Sequence, residues 1–517
     1  MKDNSGSAFK HLANDLPASL VVFLVALPLC LGIALGSQAP LMSGIIAGVV
    51  GGILIGFLSG SHLSVSGPAA GLTAIVVAAL EKLPAYEAFL LAVVIGGVFQ
   101  VLLGFLRAGV IGDYIPTSVI KGMLAAIGLI LILKQFPHMV GYDADFEGDE
   151  SFFQPGNQNT FTGLFEALSH VLPWACLIGF VSLIIQIVWE KWVAPQSNAL
   201  KLIPAPLIVV AIGVGLNQTA INYFPDHALM TDHLVNIPVI SSLAEVPSYF
   251  TWPDYGYISN MQVWITAITL ALVASLETLL SIEASDNLDP LKRVTPTDRE
   301  LKAQGMGNMV SGLLGGLPVT SVIVRTSANI NAGAKSKLSS ILHGILLASS
   351  VLFIPGVLNM IPKSALAAVL IFTGYKLAKP TLFIQHFKKG MDQFIPFTVT
   401  IVSILLSDLL IGILIGCLVG LFFVMRSNFH SAVVVVNDDK RYLIRMRKDV
   451  SYLNKPVIKR KLEEIPADSY VLIDMSKADY IDQDVILVIE DFRKHADLKN
   501  ITVELKSGSH RQQGVII

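Results

Sequence analysis

Gly60-Ser61-His62-Leu63-Ser64-Val65-Ser66-Gly67-Pro68-Ala69-Ala70-Gly71 is too polar and too interrupted for an ordinary membrane helix, yet long apolar runs flank it. A second stretch of the same kind lies far downstream: Gly315-Gly316-Leu317-Pro318-Val319-Thr320-Ser321-Val322-Ile323-Val324-Arg325-Thr326-Ser327. Each enters on Gly or Pro, passes through a short alternating or β-branched piece, and then turns helical. Short Gly/Pro-interrupted segments at corresponding places in two halves of a chain are the sequence sign of an inverted repeat with a binding site at its centre. The competing reading is two ordinary kinked spans, since Gly and Pro are frequent in membrane helices.

Working outward, the chain has 517 residues, of which 53% are hydrophobic and 14% charged. With a mean hydropathy of +0.66, it is too apolar for a soluble enzyme. A helix needs about 20 apolar residues to cross the hydrocarbon core with its backbone internally paired. The first half offers Leu16–Leu35, Leu41–Leu58, the broken Gly67–Leu80, Phe89–Leu106, Ser118–Leu133, Leu172–Trp189 and Ile203–Leu216. The second offers Val263–Ile282, Ala303–Gly316, the broken Val322–Ala332, Leu338–Ile354, Ser364–Leu377, Ile395–Leu406 and Leu410–Met425. The expected fold is an all-α polytopic membrane protein of roughly fourteen segments in seven-plus-seven inverted repeats. The broken segment is third in each half. An odd number of crossings per half inverts the second half, so the two broken segments approach the midplane from opposite sides.

Lys and Arg distribution sets the expected orientation. None occurs between Lys134 and Lys191, a stretch that holds Asp143, Asp145, Glu147, Asp149 and Glu150, and none occurs between Lys201 and Lys292. Both connections read as external. Lys191/Lys201, Lys292/Arg293/Arg299/Lys302, Lys335/Lys337 and Lys388/Lys389 mark the cytoplasmic side, which places both termini in the cytoplasm. The first apolar run is long enough to span and lacks a small-residue cleavage site, so no cleavable signal peptide is expected.

Two short helices that begin near the midplane present unpaired N–H groups and positive dipole ends to each other, a ready cradle for an anion. The candidate substrate-binding residues are Ser66, Gly67, Pro68, Ala69 and Ala70 on one side and Val322, Ile323, Val324, Arg325 and Thr326 on the other. Arg325 adds fixed positive charge, balances a carboxylate, or snorkels to an interface. Glu277 lies mid-span, where an ionisable group is a functional-site hypothesis by default; the bland reading is a structural pair with Arg325. Other chemistries find little support. Cys30, Cys176 and Cys417 fall in apolar runs as small core residues, and the formal net charge of −2 gives no signal for nucleic acid. His62 and His343 read as satisfied structural residues, and Glu283 and Asp286 as a solvated face beyond the eighth span. No nucleophile–base constellation, nucleotide motif or metal-ligand spacing occurs, so neither an enzyme nor a cofactor is expected.

At these residues the chain resembles the sulfate permease (SulP) family. The resemblance rests on Asp15–Leu20 with Ala26-Leu27-Pro28, on Ser66-Gly67-Pro68 and on Ser118-Val119-Ile120-Lys121-Gly122. It continues through Ser275–Ser281 and Gly316-Leu317-Pro318-Val319-Thr320 up to Arg325. It implies a core and a gate domain, a homodimer, elevator-type alternating access and a cytoplasmic C-terminal STAS domain. Leu16–Pro28 is similar to a bacterial branch found beside or fused to carbonic anhydrases, which implies bicarbonate and a functional link to that enzyme. Many sulfate-transporting relatives place Gln after the first-span proline, where this chain has Leu29. Resemblance to sodium-coupled bicarbonate members implies a Na⁺ site at Glu277, Ser281 and Thr320 beside the anion; a protonatable Glu suits H⁺ coupling as well. The alternatives are sulfate or another anion, an H⁺-coupled carrier or exchanger, a nucleobase carrier, and an uncoupled anion channel of the same fold.

Charge density rises after residue 430, which divides a transmembrane domain (1–430) from a soluble domain (431–517). Val433–Val436, Tyr442–Met446, Tyr470–Asp474 and Ile501–Leu505 read as strands, and Val457–Leu462 and Val485–Arg493 as helices. Ser469–Asp474 followed by Tyr480-Ile481-Asp482 resembles a STAS core. Asp484 stands where many STAS domains carry a phosphorylatable Ser, and the sequence stops soon after the last strand, so a shortened domain without that switch is expected.

Overall fold

The computed structural model describes residues 11–144, 152–154, 158–197, 200, 203–237, 243–431, 433–446, 450–478 and 480–506. Asp145, Glu147, Asp149, Glu150 and Lys201 lie outside the described residues, as does the C-terminal end from 507 on which a shortened STAS domain was read. The chain divides into two compact units, Met1–Cys417 and Leu418–Ile517.

Helices occupy every expected position. In the first half they are α1 (Leu12–Gly36), α2 (Leu41–Leu58), α3 (Thr73–Lys82), α4 (Tyr86–Phe105), α5 (Thr117–Met139), α6 (Pro173–Gln196) and α7 (Ala205–Tyr223). In the second they are α8 (Met261–Leu288), α9 (Thr297–Leu313), α10 (Ile323–Asn331), α11 (Leu338–Phe353), α12 (Lys363–Leu377), α13 (Met391–Leu406) and α14 (Leu409–Ser431). Among the described residues, eight helices are long and apolar enough to cross a bilayer by themselves, and Leu338–Phe353, Met391–Leu406 and Leu409–Met425 are shorter apolar ones.

The two broken segments are the exceptions. With 10 residues in α3 and 9 in α10, these helices reach only about 15 Å, roughly half the hydrocarbon thickness. Each is entered from a short strand, β1 (Ser66–Pro68) and β2 (Val319–Ser321). The strands pair antiparallel, Ser66 with Ser321, Gly67 with Thr320 and Pro68 with Val319. Equivalent strands of two inverted repeats must run antiparallel, so the ladder fits the repeat. It also satisfies backbone groups that would otherwise lie unpaired at membrane depth. The other strand pair of this unit among the described residues is the two-residue pairing of Phe153–Gln154 with Gln158–Asn159.

Close packing follows from small residues. A Cβ on Gly97 of α4 would come within 2.6 Å of the Gly305 carbonyl of α9, and the same holds in reverse. Gly128 of α5 and Gly374 of α12 meet in the same way, at 2.5 Å. Helix backbones thus touch without side chains between them, as in membrane bundles generally. One apolar cluster joins the buried face of α5 (Met123, Leu124, Ile127, Ile130, Leu131) to Val21, Val25 and Leu29 of α1 and to Ile323 and Val324 of α10. The second half-helix itself packs chiefly on α1 and α8.

The eighth helix runs further than composition suggested. Glu283 and Asp286 lie inside α8, and Asp286 accepts hydrogen bonds from Thr295 N (2.6 Å) and Thr295 Oγ1 (2.7 Å), tying the helix end to the following turn. It is a structural acceptor rather than part of a solvated face.

The second unit carries β3 (Val433–Asp438), β4 (Arg441–Met446), β5 (Tyr470–Asp474) and β6 (Thr502–Lys506) in one sheet of that order, with α15 (Lys455–Glu463) and α16 (Gln483–Ala496). The β3–β4 pair is antiparallel and the other two pairs are parallel. Val471, Ile473, Ile458, Leu462, Val485 and Ile489 fill its core. The Asp482 side chain accepts from Asp484 N at the start of α16, and Lys455 Nζ donates to Asp484 at 3.0 Å.

Candidate functional site

The half-helices and their strands bring the sequence candidates into one buried region, with different roles for different residues. Arg325, in the first turn of α10, is 0% exposed and is the largest fully buried side chain among those described. Its Nη2 donates to Pro68 O at 3.4 Å, while Nε and Nη1 meet no hydrogen-bond acceptor among the described residues. A buried guanidinium with idle donors is costly unless an anion or ordered water completes it. The cost is the signature of a site.

A cavity of about 20 Å³ is lined in part by Arg325. From the predicted set Ala70, Val322, Val324 and Arg325 line it; from elsewhere Leu29, Lys134 and Gln135 do. The remaining candidates sit behind the wall. Ser66 accepts from Gln304 Nε2 at 2.7 Å, and Thr326 Oγ1 accepts from Val65 N at 3.0 Å. Gly67 and Pro68 belong to the ladder, and Ala69 and Ile323 are buried in packing. The first helix begins with a 3₁₀ turn at Ala70–Leu72, so its start lies a few residues beyond Ser66.

Gly67 is the close approach that seats the guanidinium: a Cβ there would lie 2.0 Å from Arg325 Nη1. Arg325 has no exposed route by which to yield. Gly67→Ala is expected to leave the membrane fold intact and to weaken anion binding about tenfold or more, equivalent to ~1.4 kcal/mol, in isothermal titration of the detergent-solubilised protein. Unaltered affinity would show that the guanidinium does not touch the anion.

Glu277 of α8 is 7% exposed, and its Oε1 lies where a Cβ on Gly71 would approach to 3.1 Å. Ala70 faces the cavity while Gly71 faces the carboxylate, so adjacent residues border the anion and cation candidates. Ser281, 4% exposed, lies one turn further along α8, and Thr320 is fully buried in β2, paired with Gly67. Thr278 Oγ1 accepts from Ser321 N at 3.4 Å, which packs α8 onto the ladder. His343, read from sequence as satisfied, is buried with neither ring nitrogen hydrogen-bonded among the described residues. Its helix carries it into the electrostatic neighbourhood of Arg325.

A second polar group was not anticipated. Asp143, just beyond α5, accepts from His138 Nδ1 and from His233 Nδ1, both at 2.6 Å, at the wall of a cavity of about 380 Å³ that also includes Pro28, Leu31 and Lys363. Burial alone pushes this carboxyl up, but the two imidazole hydrogen bonds outweigh it and hold its pKa at about 2. A depressed folded pKa supplies stability above the ordinary carboxylate value, lost as pH falls through about 2. Asp143→Asn is therefore expected to lower the melting temperature at pH 7 and to make no difference near pH 2, read by intrinsic fluorescence. Equal melting at pH 7 would reject the bridge.

A polytopic membrane protein whose two half-helices meet at a buried, donor-rich cavity has the architecture of an anion carrier. The chain belongs to the sulfate permease family, whose model matches residues 12–403, and a STAS domain follows at 432–512. It is thus an anion transporter of that family, not an enzyme. YvdB of Bacillus subtilis is 27% identical over 450 residues, covering 86% of this chain and 79% of its own. The bicarbonate transporter BicA of Picosynechococcus is 25% identical over 376 residues, 70% of this chain and 61% of its own. The chloroplastic sulfate transporter 4.1 of Arabidopsis thaliana is 23% identical over 462 residues, 83% of this chain and 64% of its own. The chain therefore spans somewhat under two thirds of the last two relatives. Among solved structures, the BicA transmembrane domain superposes with a TM-score of 0.53 at 21% identity, over 80% of this chain and 98% of that one. Murine Slc26a9 superposes with a TM-score of 0.66 at 16% identity, over 98% of this chain and 90% of that one. These two likenesses establish the fold.

Proposed function

We propose that the chain carries bicarbonate across the cell (inner) membrane, coupled to Na⁺, with the half-helix pair moving against the rest of the membrane domain as an elevator. The observation that carries the reading is Arg325: fully buried, with no acceptor for Nε or Nη1 among the described residues, and lining a cavity together with Ala70, Val322 and Val324. Leu29 on the cavity wall favours a small monoanion over sulfate, because a dianion needs more donors than an isobutyl group supplies. The same reading takes the protein as a homodimer with both termini cytoplasmic, a membrane domain of 1–430 and a STAS-like domain from 431. It also links the protein functionally to carbonic anhydrase.

Sulfate is the second reading, and a specific observation favours it: Lys134 and Gln135 add donors to the same cavity. Uptake of labelled bicarbonate, sulfate and uracil by proteoliposomes, with Na⁺ and H⁺ gradients imposed separately, distinguishes these readings. Saturable, Na⁺-driven bicarbonate uptake is expected. H⁺-driven or counter-anion-driven uptake would replace the coupling, passive conductance would indicate a channel, and a lack of saturable bicarbonate uptake would overturn the assignment.

A further inference from the structure

The ninth helix, α9, fills one of the fourteen expected positions, yet it is not among the long or the shorter apolar helices. Its polarity is concentrated on one face: Glu300, Gln304 and Asn308 stand four residues apart, and all three are buried. Polar side chains at membrane depth are expensive and mark function. Each of the three is engaged. Glu300 accepts from Ser59 Oγ at 2.5 Å, from Gly60 N at 3.2 Å and from Gln304 Nε2 at 3.0 Å. Gln304 Nε2 also donates to Ser66 Oγ in β1 at 2.7 Å. Asn308 holds the other strand. Its Oδ1 accepts from Val319 N at 2.5 Å and its Nδ2 donates to Val319 O at 2.9 Å. One amide thus meets both backbone groups of a β2 residue, as a neighbouring strand would. The same Nδ2 donates to Gln100 Oε1 of α4 at 2.5 Å, and Gln100 Nε2 donates in turn to Ser275 Oγ of α8 at 3.3 Å.

We infer that Asn308, with Gln100 behind it, is a positioning residue of the anion site: it fixes β2, and through β2 the start of α10, against α8. The inference rests on the anion-carrier reading and deepens it. Arg325 lies in the first turn of the helix that β2 enters, so a displaced strand displaces the guanidinium. The partner strand carries the same register, because Val319 pairs with Pro68, whose carbonyl accepts from Arg325 Nη2. Hydrogen bonds weaken steeply with misalignment, so an anion held by such donors depends on that register. On the α8 side the tie is double: Ser275 accepts from Gln100, and Thr278 Oγ1 accepts from Ser321 N at 3.4 Å. Neither Asn308 nor Gln100 is among the residues lining the cavity with Arg325. They act through the strand and not on the anion.

The test is titration of the full-length, detergent-solubilised protein with bicarbonate and with sulfate, with the melting temperature as the check on folding. Asn308→Ala is expected to weaken binding of whichever anion the wild-type protein takes by about tenfold, ~1.4 kcal/mol. Gln100→Met leaves Val319 bonded but drops the tie to α8, and is expected to weaken binding about threefold. A purely structural duty would lower the melting temperature and leave affinity alone; that result in a folded Asn308→Ala protein overturns the inference. In an Arg325→Lys background the Asn308→Ala penalty is expected to shrink below about threefold, because the planar fork that needs the register is already gone. A full tenfold penalty there shows independence and also overturns it. If Asn308→Ala does not fold, hydrogen exchange on the wild-type protein decides. Bound anion, compared with gluconate, is expected to slow exchange in Val319–Ser321 and in 275–281 together, and an anion that leaves either stretch unchanged overturns the inference. Wild-type protein that binds neither anion fails the carrier reading, and the inference with it, a result distinct from any difference between variants.

Discussion

Arg325→Gln is expected to abolish saturable anion uptake and to lower anion affinity by about thirty- to several-thousand-fold, the range for removing one partner of a buried charge pair, ~2–5 kcal/mol. Glutamine keeps a donor and much of the length but removes the charge and the fork. Because Nε and Nη1 have no protein acceptor among the described residues, little fold stability should go with the charge. Relieving an uncompensated buried cation could even raise the melting temperature. Arg325→Lys should fall between the two, keeping the charge without the planar, bidentate geometry. The measurement is titration of bicarbonate and sulfate against the solubilised protein, with the melting temperature as the control for folding. Wild-type affinity in a folded Arg325→Gln protein would remove the site from the helix starts altogether.

Glu277→Gln is the second large expected effect. The carboxylate abuts Gly71, and the neighbouring Ala70 lines the anion cavity. A cation at Glu277 and an anion at Arg325 would lower each other's cost of entering a low-dielectric site. Sodium should then raise anion affinity, and the anion should raise sodium affinity by the same factor, about 5- to 150-fold for typical coupling energies. Removing the charge while keeping the size should erase both halves of that reciprocity and leave anion binding insensitive to sodium. Bicarbonate uptake against sodium concentration, repeated across pH, separates sodium from a proton in the same role. Uptake indifferent to both gradients in the wild-type protein would leave Glu277 with a structural duty only.

Much of the fold was legible because its signal is local. A run of apolar residues announces a helix wherever it packs, and all fourteen positions carried that signal, as did the strands and helices of the tail. The broken pair was legible from Gly67-Pro68 and Gly315–Pro318, which bar a continuous helix. What those segments do instead was not. The pairing of Ser66 with Ser321 joins residues far apart in the chain, and nothing in either segment names the other as its partner. The bridge from His138 through Asp143 to His233 was hidden for the same reason.

Lys134 is a different kind of miss. Its signal was present: a lysine within Ile130–Phe136 is as anomalous as a glutamate within Ser275–Ser281, and the cost argument that singled out Glu277 applies to both. It was read as a boundary marker for loop charge because it stands near a span's end. Ser66 and Thr326 are a different case: their side chains bond Gln304 and the Val65 backbone and do not line the cavity. They belong to the right segments, but a motif gives position along the chain and not the direction a side chain faces.

The ladder between Ser66–Pro68 and Val319–Ser321 is built from backbone, and that bears on how such a protein can change over generations. Its three residue pairs hold the two helix starts in register whatever side chains stand around them. Substitutions at Leu29, Ala70, Val324 or Gln135 can therefore retune the cavity without dismantling the frame that positions it. Gly67 and Arg325 are locked to each other and to the frame, so a change in either must be met by a change in the other. Preference for a new anion is thus open to single mutational steps along the cavity wall, while the seat of the charge is not.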